Sequence, residues 1–194
     1  MEIREFLKEV LNVKDETLLK EILEISTPFS AKKVSIVIAQ GEQQTDFIFL
    51  VTGIFRGFYL DAEGKDNTDC FGVLPGTPCM SVSVNNGISP ITIEAVTTCE
   101  FLKISGAELA PMINNNLTLI RIYNGILQTA MQVHWDLKVM ATQHSAMERY
   151  QWFLKAYPGL IDHACNKDIA SFLGMSPVTF SRLKKICRVD TPHG

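Results

Sequence analysis

Apolar residues recur at helical spacing near the two ends of the chain and in short alternating runs between them. Ile3, Phe6, Leu7, Val10 and Leu11 form one stripe, and Leu18, Leu19, Ile22, Leu23 and Ile25 form a second, so the spacing predicts packing helices over residues 3–25, closed by Pro28. From residue 32 to 104 the texture changes to β-rich runs at 34–39, 47–52, 54–60, 68–73, 80–84, 90–96 and 99–104. Gly41, Gly53, Asp61-Ala62-Glu63-Gly64, Pro75-Gly76, Asn85-Asn86-Gly87 and Thr97-Thr98 separate them. Short strands with regular turns predict a small antiparallel barrel or jelly roll.

Helical spacing returns over residues 108–143. Leu119, Ile126, Val133 and Met140 recur every seventh residue, with Ile122, Tyr123, Ala130 and Leu137 beside them. This apolar seam exceeds what one face of a roll needs, and pairing with the same helix of a second chain is the expected use. A further helix is predicted over 145–157: Ser145 with Glu148 is a capping box, Tyr150, Phe153, Leu154 and Tyr157 are its apolar side, and Pro158-Gly159 ends it.

Residues 166–186 read as two short helices about a tight turn. Asn166 is a candidate N-cap, and Ile169, Ala170, Phe172 and Leu173 give the first helix its apolar face. Gly174 stops it, Ser176 caps the second, and Pro177 takes the first helical position, where a missing N–H costs nothing. Phe180, Leu183 and Ile186 form a predicted buried face, while Val178, Thr179, Ser181, Arg182 and Lys185 lie opposite. With small Ala170 at the crossing, this is the pattern of a helix-turn-helix that sets its second helix in the DNA major groove; the plain alternative is a helical hairpin.

The chain has 194 residues, 46% of them hydrophobic, enough for one medium domain or two small ones with a sizeable core. Its net charge of -3 argues against a nucleic-acid binder until the distribution is considered. Residues 144–194 carry seven basic and four acidic side chains, a net of +3, which leaves -6 on the rest. Charges throughout the first ten residues leave no room for a secretory leader, and no stretch is long and apolar enough to span a membrane, so a cytoplasmic protein is expected. Cys70, Cys79, Cys99, Cys165 and Cys187 are odd in number and widely spaced, as for free packing thiols. His134, His144, His163 and His193 all lie outside the β region, so no histidine-bound metal is expected in the roll. No catalytic constellation and no P-loop-type glycine loop is present, and an enzyme is not the expected reading.

The order of roll, long helix and C-terminal helix-turn-helix resembles the Crp/Fnr family of bacterial transcription regulators over nearly the whole chain, as an α+β protein. In the roll the resemblance rests on Gly41-Glu42, residues 47–56 with Gly53, and Gly64. In the C-terminal part it rests on Glu148-Arg149-Tyr150, Tyr157-Pro158, residues 169–176 and Thr179-Phe180-Ser181-Arg182, and is similar to the subgroup common in Bacteroidetes-type bacteria. It implies a jelly-roll-like, cyclic-nucleotide-binding-like sensor domain over 1–107, a dimerisation helix over 108–143 and a DNA-binding domain over 144–194. It further implies a homodimer on double-stranded DNA with a partly palindromic operator, with RNA polymerase and a small-molecule effector as further partners. Arg182 matches the family's base-reading arginine. Ser176, Thr179, Ser181, Lys184 and Lys185 would contact phosphates, and Pro177 and Val178 a thymine methyl or nothing.

The family's ligand cassette is where the sequence departs from the pattern. Relatives that bind cyclic nucleotides carry a Glu for the ribose and an Arg for the phosphate. Here residues 74–93 contain no Arg, Lys, Glu or Asp. An anionic phosphate needs such a partner, so cyclic AMP is disfavoured, no cofactor is identified, and Cys79, Met80, Ser81, Ser89 and Thr92 are candidates for a more apolar pocket. The alternative function is a small-molecule or protein-binding module with a purely structural helical end. It would be favoured by burial or pairing of Arg182 and Lys185.

Overall fold

The computed structural model describes residues 1–79 and 87–189. The helices are α1 (Ile3–Glu5), α2 (Glu16–Glu24), α3 (Gly106–Asn115), α4 (Leu117–Gln143), α5 (Ala146–Ala156), α6 (Asn166–Phe172) and α7 (Pro177–Val189). The strands are β1 (Ser26–Ala31), β2 (Ile36–Ile38), β3 (Asp46–Thr52), β4 (Phe55–Leu60), β5 (Asp66–Gly72), β6 (Thr92–Ala95) and β7 (Cys99–Ser105). They make two antiparallel sheets, β1-β7-β3 and β2-β6-β4-β5, the predicted roll. The strand predicted over 80–84, with Met80 and Ser81, lies outside the described residues.

Three departures from the sequence-based expectation have physical causes. The N-terminal helical section ends before Pro28, which stands inside β1. That strand is a sheet edge paired only with β7, a position where a missing N–H is tolerated. After α1 the chain widens into a π-helical turn, Phe6–Val10, which buries both Phe6 and Leu7. The span over 108–143 is two helices, not one. Asn116 is extended and accepts from the N–H groups of Thr118 and Leu119 at 2.9 and 3.2 Å, N-capping α4.

Three apolar clusters hold the molecule. One fills the roll between the sheets, with Leu50, Phe55, Ile93 and Phe101. The second lies between the N-terminal helices, β3 and the start of α4, around Phe6, Leu19, Phe49 and Leu119. The third joins the roll to the C-terminal helices, combining Phe71 and Val96 with Tyr150, Phe153, Phe172 and Phe180. Gly53 allows the tight turn from β3 to β4: its φ is +100° and a Cβ there would stand 2.6 Å from the Thr98 carbonyl oxygen.

Candidate nucleic-acid interface

The C-terminal helical pair is built as its sequence predicts, with two exceptions; in α5 before it, Leu154, expected on the apolar side, is exposed. Gly174, at φ +61°, closes α6 in a Schellman turn: Met175 N donates to Ala170 O and Gly174 N to Ser171 O, each at 3.0 Å. Ser176 Oγ then accepts from Thr179 N at 3.1 Å, so one helix is capped off two residues before the next is capped on. The first exception is Asn166, which is not the N-cap. It is the first residue of α6, and its Oδ1 accepts from Lys184 Nζ at 3.1 Å, tying the two helices together. The second is Ile186, which is half exposed; Cys187 turns inward in its place, because positions 180, 183 and 187 follow the helical period along the buried face.

Phe180 is fully buried against Tyr150, ring centroids 5.5 Å apart and edge-on. This fixes which side of α7 turns outward. Pro177, Val178, Ser181, Arg182 and Lys185 are exposed on that side. Thr179 is half buried, its hydroxyl 2.9 Å from that of Ser176, and Lys184 is held by Asn166. Arg182 and Lys185 make no hydrogen bond or ion pair among the described residues. An unpaired guanidinium on the open face of a capped helix suits bidentate contact with guanine.

Arg149 is a supporting residue whose role the motif did not reveal. Its Nη1 donates to Ala141 O at 2.9 Å, near the end of α4, and its Nη2 to Gly174 O at 3.4 Å in the turn. Its buried Nε has no partner. One side chain thereby braces the turn against the long helix.

Along α4 the predicted seam divides. Leu119 is buried by the chain's own roll, Ile122, Tyr123 and Ile126 pack beside it, and Leu137 rests on the C-terminal cluster. Ala130 and Met140 are half buried and Val133 is exposed. A neighbouring stripe that the heptad reading missed, Leu127, Met131 and Trp135, faces outward, with Met131 73% exposed. Spacing alone does not say which of two adjacent stripes a protein keeps for itself.

In the roll, the three candidate pocket residues that are described are engaged by the chain itself. Ser89 Oγ donates to Ile91 O at 2.7 Å, Thr92 Oγ1 accepts from Gln40 N at 3.0 Å, and Cys79 is fully buried. Burial pushes the Cys70 thiol up to about 12 and raises Cys79 and Cys99 as well, which makes them poor nucleophiles. Arg56 is the buried charge among the described residues, and carboxylates already hold it. A separate cavity of about 40 Å³ lies where Leu7, Phe49, Leu109, Leu119 and Tyr123 converge, with an almost wholly apolar wall. No helix among the described residues is long and apolar enough to cross a membrane.

No family model matches the sequence, and no curated protein does. Solved structures match over most of their length. FixK2 from Bradyrhizobium japonicum is 20% identical with a TM-score of 0.73, covering 85% of each chain. A protein from Eubacterium rectale described as a transcriptional regulator of the Crp/Fnr family is 16% identical with a TM-score of 0.72, covering 94% of this chain and 87% of its own. The c-di-GMP-responsive global regulator CLP from Xanthomonas campestris is 14% identical with a TM-score of 0.70, covering 93% and 96%. Roll, long helix and C-terminal helix-turn-helix together give this chain the fold of the Crp/Fnr regulators.

Proposed function

We propose that the chain is a homodimeric DNA-binding transcription regulator that reads an inverted-repeat operator through α7. The observation that carries this reading is that Arg182 and Lys185 are exposed and have no hydrogen-bond or ion-pair partner among the described residues, where a purely structural hairpin would bury or pair them. Ser181 shares the open face, and Ser176 and Thr179 sit at the helix N-terminus, placed to meet phosphates. RNA polymerase is the expected protein partner at a promoter. Selection from random duplex DNA at two salt concentrations tests the reading. An enriched inverted repeat is the expected result; no enrichment, with or without cell extract, would favour the binding-module alternative.

The second copy would seat on the α4 stripe. Burying an apolar side chain stabilises by about 1.5–3 kcal/mol, and a two-fold interface counts each residue twice. Met131→Glu places a charge in that stripe and is expected to give a monomer by light scattering at micromolar concentration. A dimer unchanged by Met131→Glu would move the interface elsewhere.

An effector of this roll would be small and weakly charged, since Arg56 is already committed and the described cavity is apolar. Cyclic AMP at one hundred times a true dissociation constant would add about 2.7 kcal/mol of stability. The expected result at millimolar cyclic AMP is no shift in melting temperature, and a shift of several degrees would restore it as a ligand.

A further inference from the structure

The roll and the helix-turn-helix meet at one polar joint whose charges do not balance. Arg56 stands on β4 with its side chain 7% exposed. The roll alone satisfies it. Nη2 and Nη1 donate to the two oxygens of Asp66 at 2.9 and 3.2 Å, and Nε donates to Glu94 Oε1 at 3.2 Å. Nη1 also lies 3.4 Å from Thr68 Oγ1, and the guanidinium sits 4.3 Å from the Phe58 ring centroid. α6 then brings a third carboxylate, Asp168 Oδ1, to 2.8 Å from Nη1. Beside it Thr68 N, near a bulge in the β4–β5 ladder, donates to Ser171 Oγ at 2.9 Å. Phe71 meets Phe172 edge-on at 5.2 Å.

A buried ion pair normally resists opening, because the group left behind becomes an uncompensated buried charge. Here the group left behind is Arg56, which keeps Asp66 and Glu94. The departing group is Asp168, which gains water and escapes two like charges. Burial raises the Asp168 carboxyl above its usual range; Arg56 of the roll and Lys167 of its own helix pull it down, and Asp66 and Glu94 push it back up. The covalent link from α4 to α5 passes through the extended residue His144, so the pose of α7 depends on non-covalent contacts: the Arg149 brace to α4 and what α6 rests on.

We infer that Arg56 and Asp168 form a detachable clamp through which the roll sets the pose of the recognition helix. Closed, it holds α6, and with it α7, against the roll; open, it leaves that pose to the Phe71–Phe172 packing and the Arg149 brace alone. A dimer that reads two half-sites at a set separation needs the closed state to discriminate spacing.

The test uses the full chain, and its operator arm rests on the DNA-binding reading above. Asp168→Asn keeps the shape and an acceptor oxygen but removes the charge. It is expected to speed amide exchange at Thr68 about tenfold, the scale of coupling between contacting groups, and to relax the penalty for one added central base pair by a similar factor. Glu94→Gln removes surplus negative charge on the roll side and is expected to act oppositely, slowing Thr68 exchange and sharpening spacing discrimination. Thr68 exchange unchanged by Asp168→Asn, or moved in the same direction by both variants, would overturn the clamp. Exchange is read without DNA, so failure to find any operator counts against the DNA-binding reading, while Thr68 exchange by itself still upholds or overturns the clamp.

Discussion

Arg182→Ala is expected to leave the fold and the dimer intact while removing sequence-specific binding. The side chain is exposed, so its loss removes no hydrogen bond or ion pair among the described residues. A bidentate arginine–guanine pair is worth about 1–3 kcal/mol of discrimination, and a symmetric dimer loses it in both half-sites, about 2–6 kcal/mol in all. Anisotropy titrations on a selected operator and a scrambled duplex would show the two affinities converge. Lys185→Ala provides the contrast: a lysine on phosphate weakens both duplexes alike and lowers the salt slope by about one for each protomer. Operator affinity unchanged in Arg182→Ala would show that α7 does not read bases with this residue.

Phe153→Ala is expected to be the most destabilising single change in the C-terminal unit. Phe153 is fully buried, stacked on Tyr157 at 5.6 Å and in edge contact with Phe172 at 6.3 Å. Truncating such a ring costs about 3–5 kcal/mol through lost burial and the cavity left behind. The unit is small and its core is this aromatic cluster, so calorimetry should show its unfolding fall well below that of the roll. DNA binding should fail although Phe153 is remote from the outward face of α7. A melting curve that matches the wild type would show that the cluster repacks around the gap.

Where the chain's local chemistry agrees with its packing, the sequence was enough. Gly174, Ser176 and Pro177 each suit one backbone position, and the turn between α6 and α7 follows from them. The β-rich runs between turn residues that became β3, β4 and β5 were legible for the same reason. β1 was not, because Pro28 interrupts its strand formers Thr27 and Phe29 and reads as a break, and the segment becomes a strand by pairing with β7. The break at Asn116 was hidden by apolar residues that continue at helical spacing on both sides of it. Arg56 was hidden more deeply. An arginine in a strand reads as solvent-facing, and its partners Glu94 and Asp66 lie 38 and 10 residues away, with Asp168 in a different unit. Only long-range geometry gathers them.

The cluster shared by Phe71, Tyr157 and Phe172 bears on how the two parts of this chain can be recombined. Phe71 of the roll meets both rings, 5.2 Å from Phe172 and 6.5 Å from Tyr157, so the C-terminal unit has no complete surface of its own on that side. Transplanted onto a foreign sensor, residues 144–189 would arrive with a bare aromatic patch and an orphaned Asp168. A well-folded chimera of this protein has to carry β5 with its C-terminal unit, or replace Phe172 and Asp168 with residues that tolerate water.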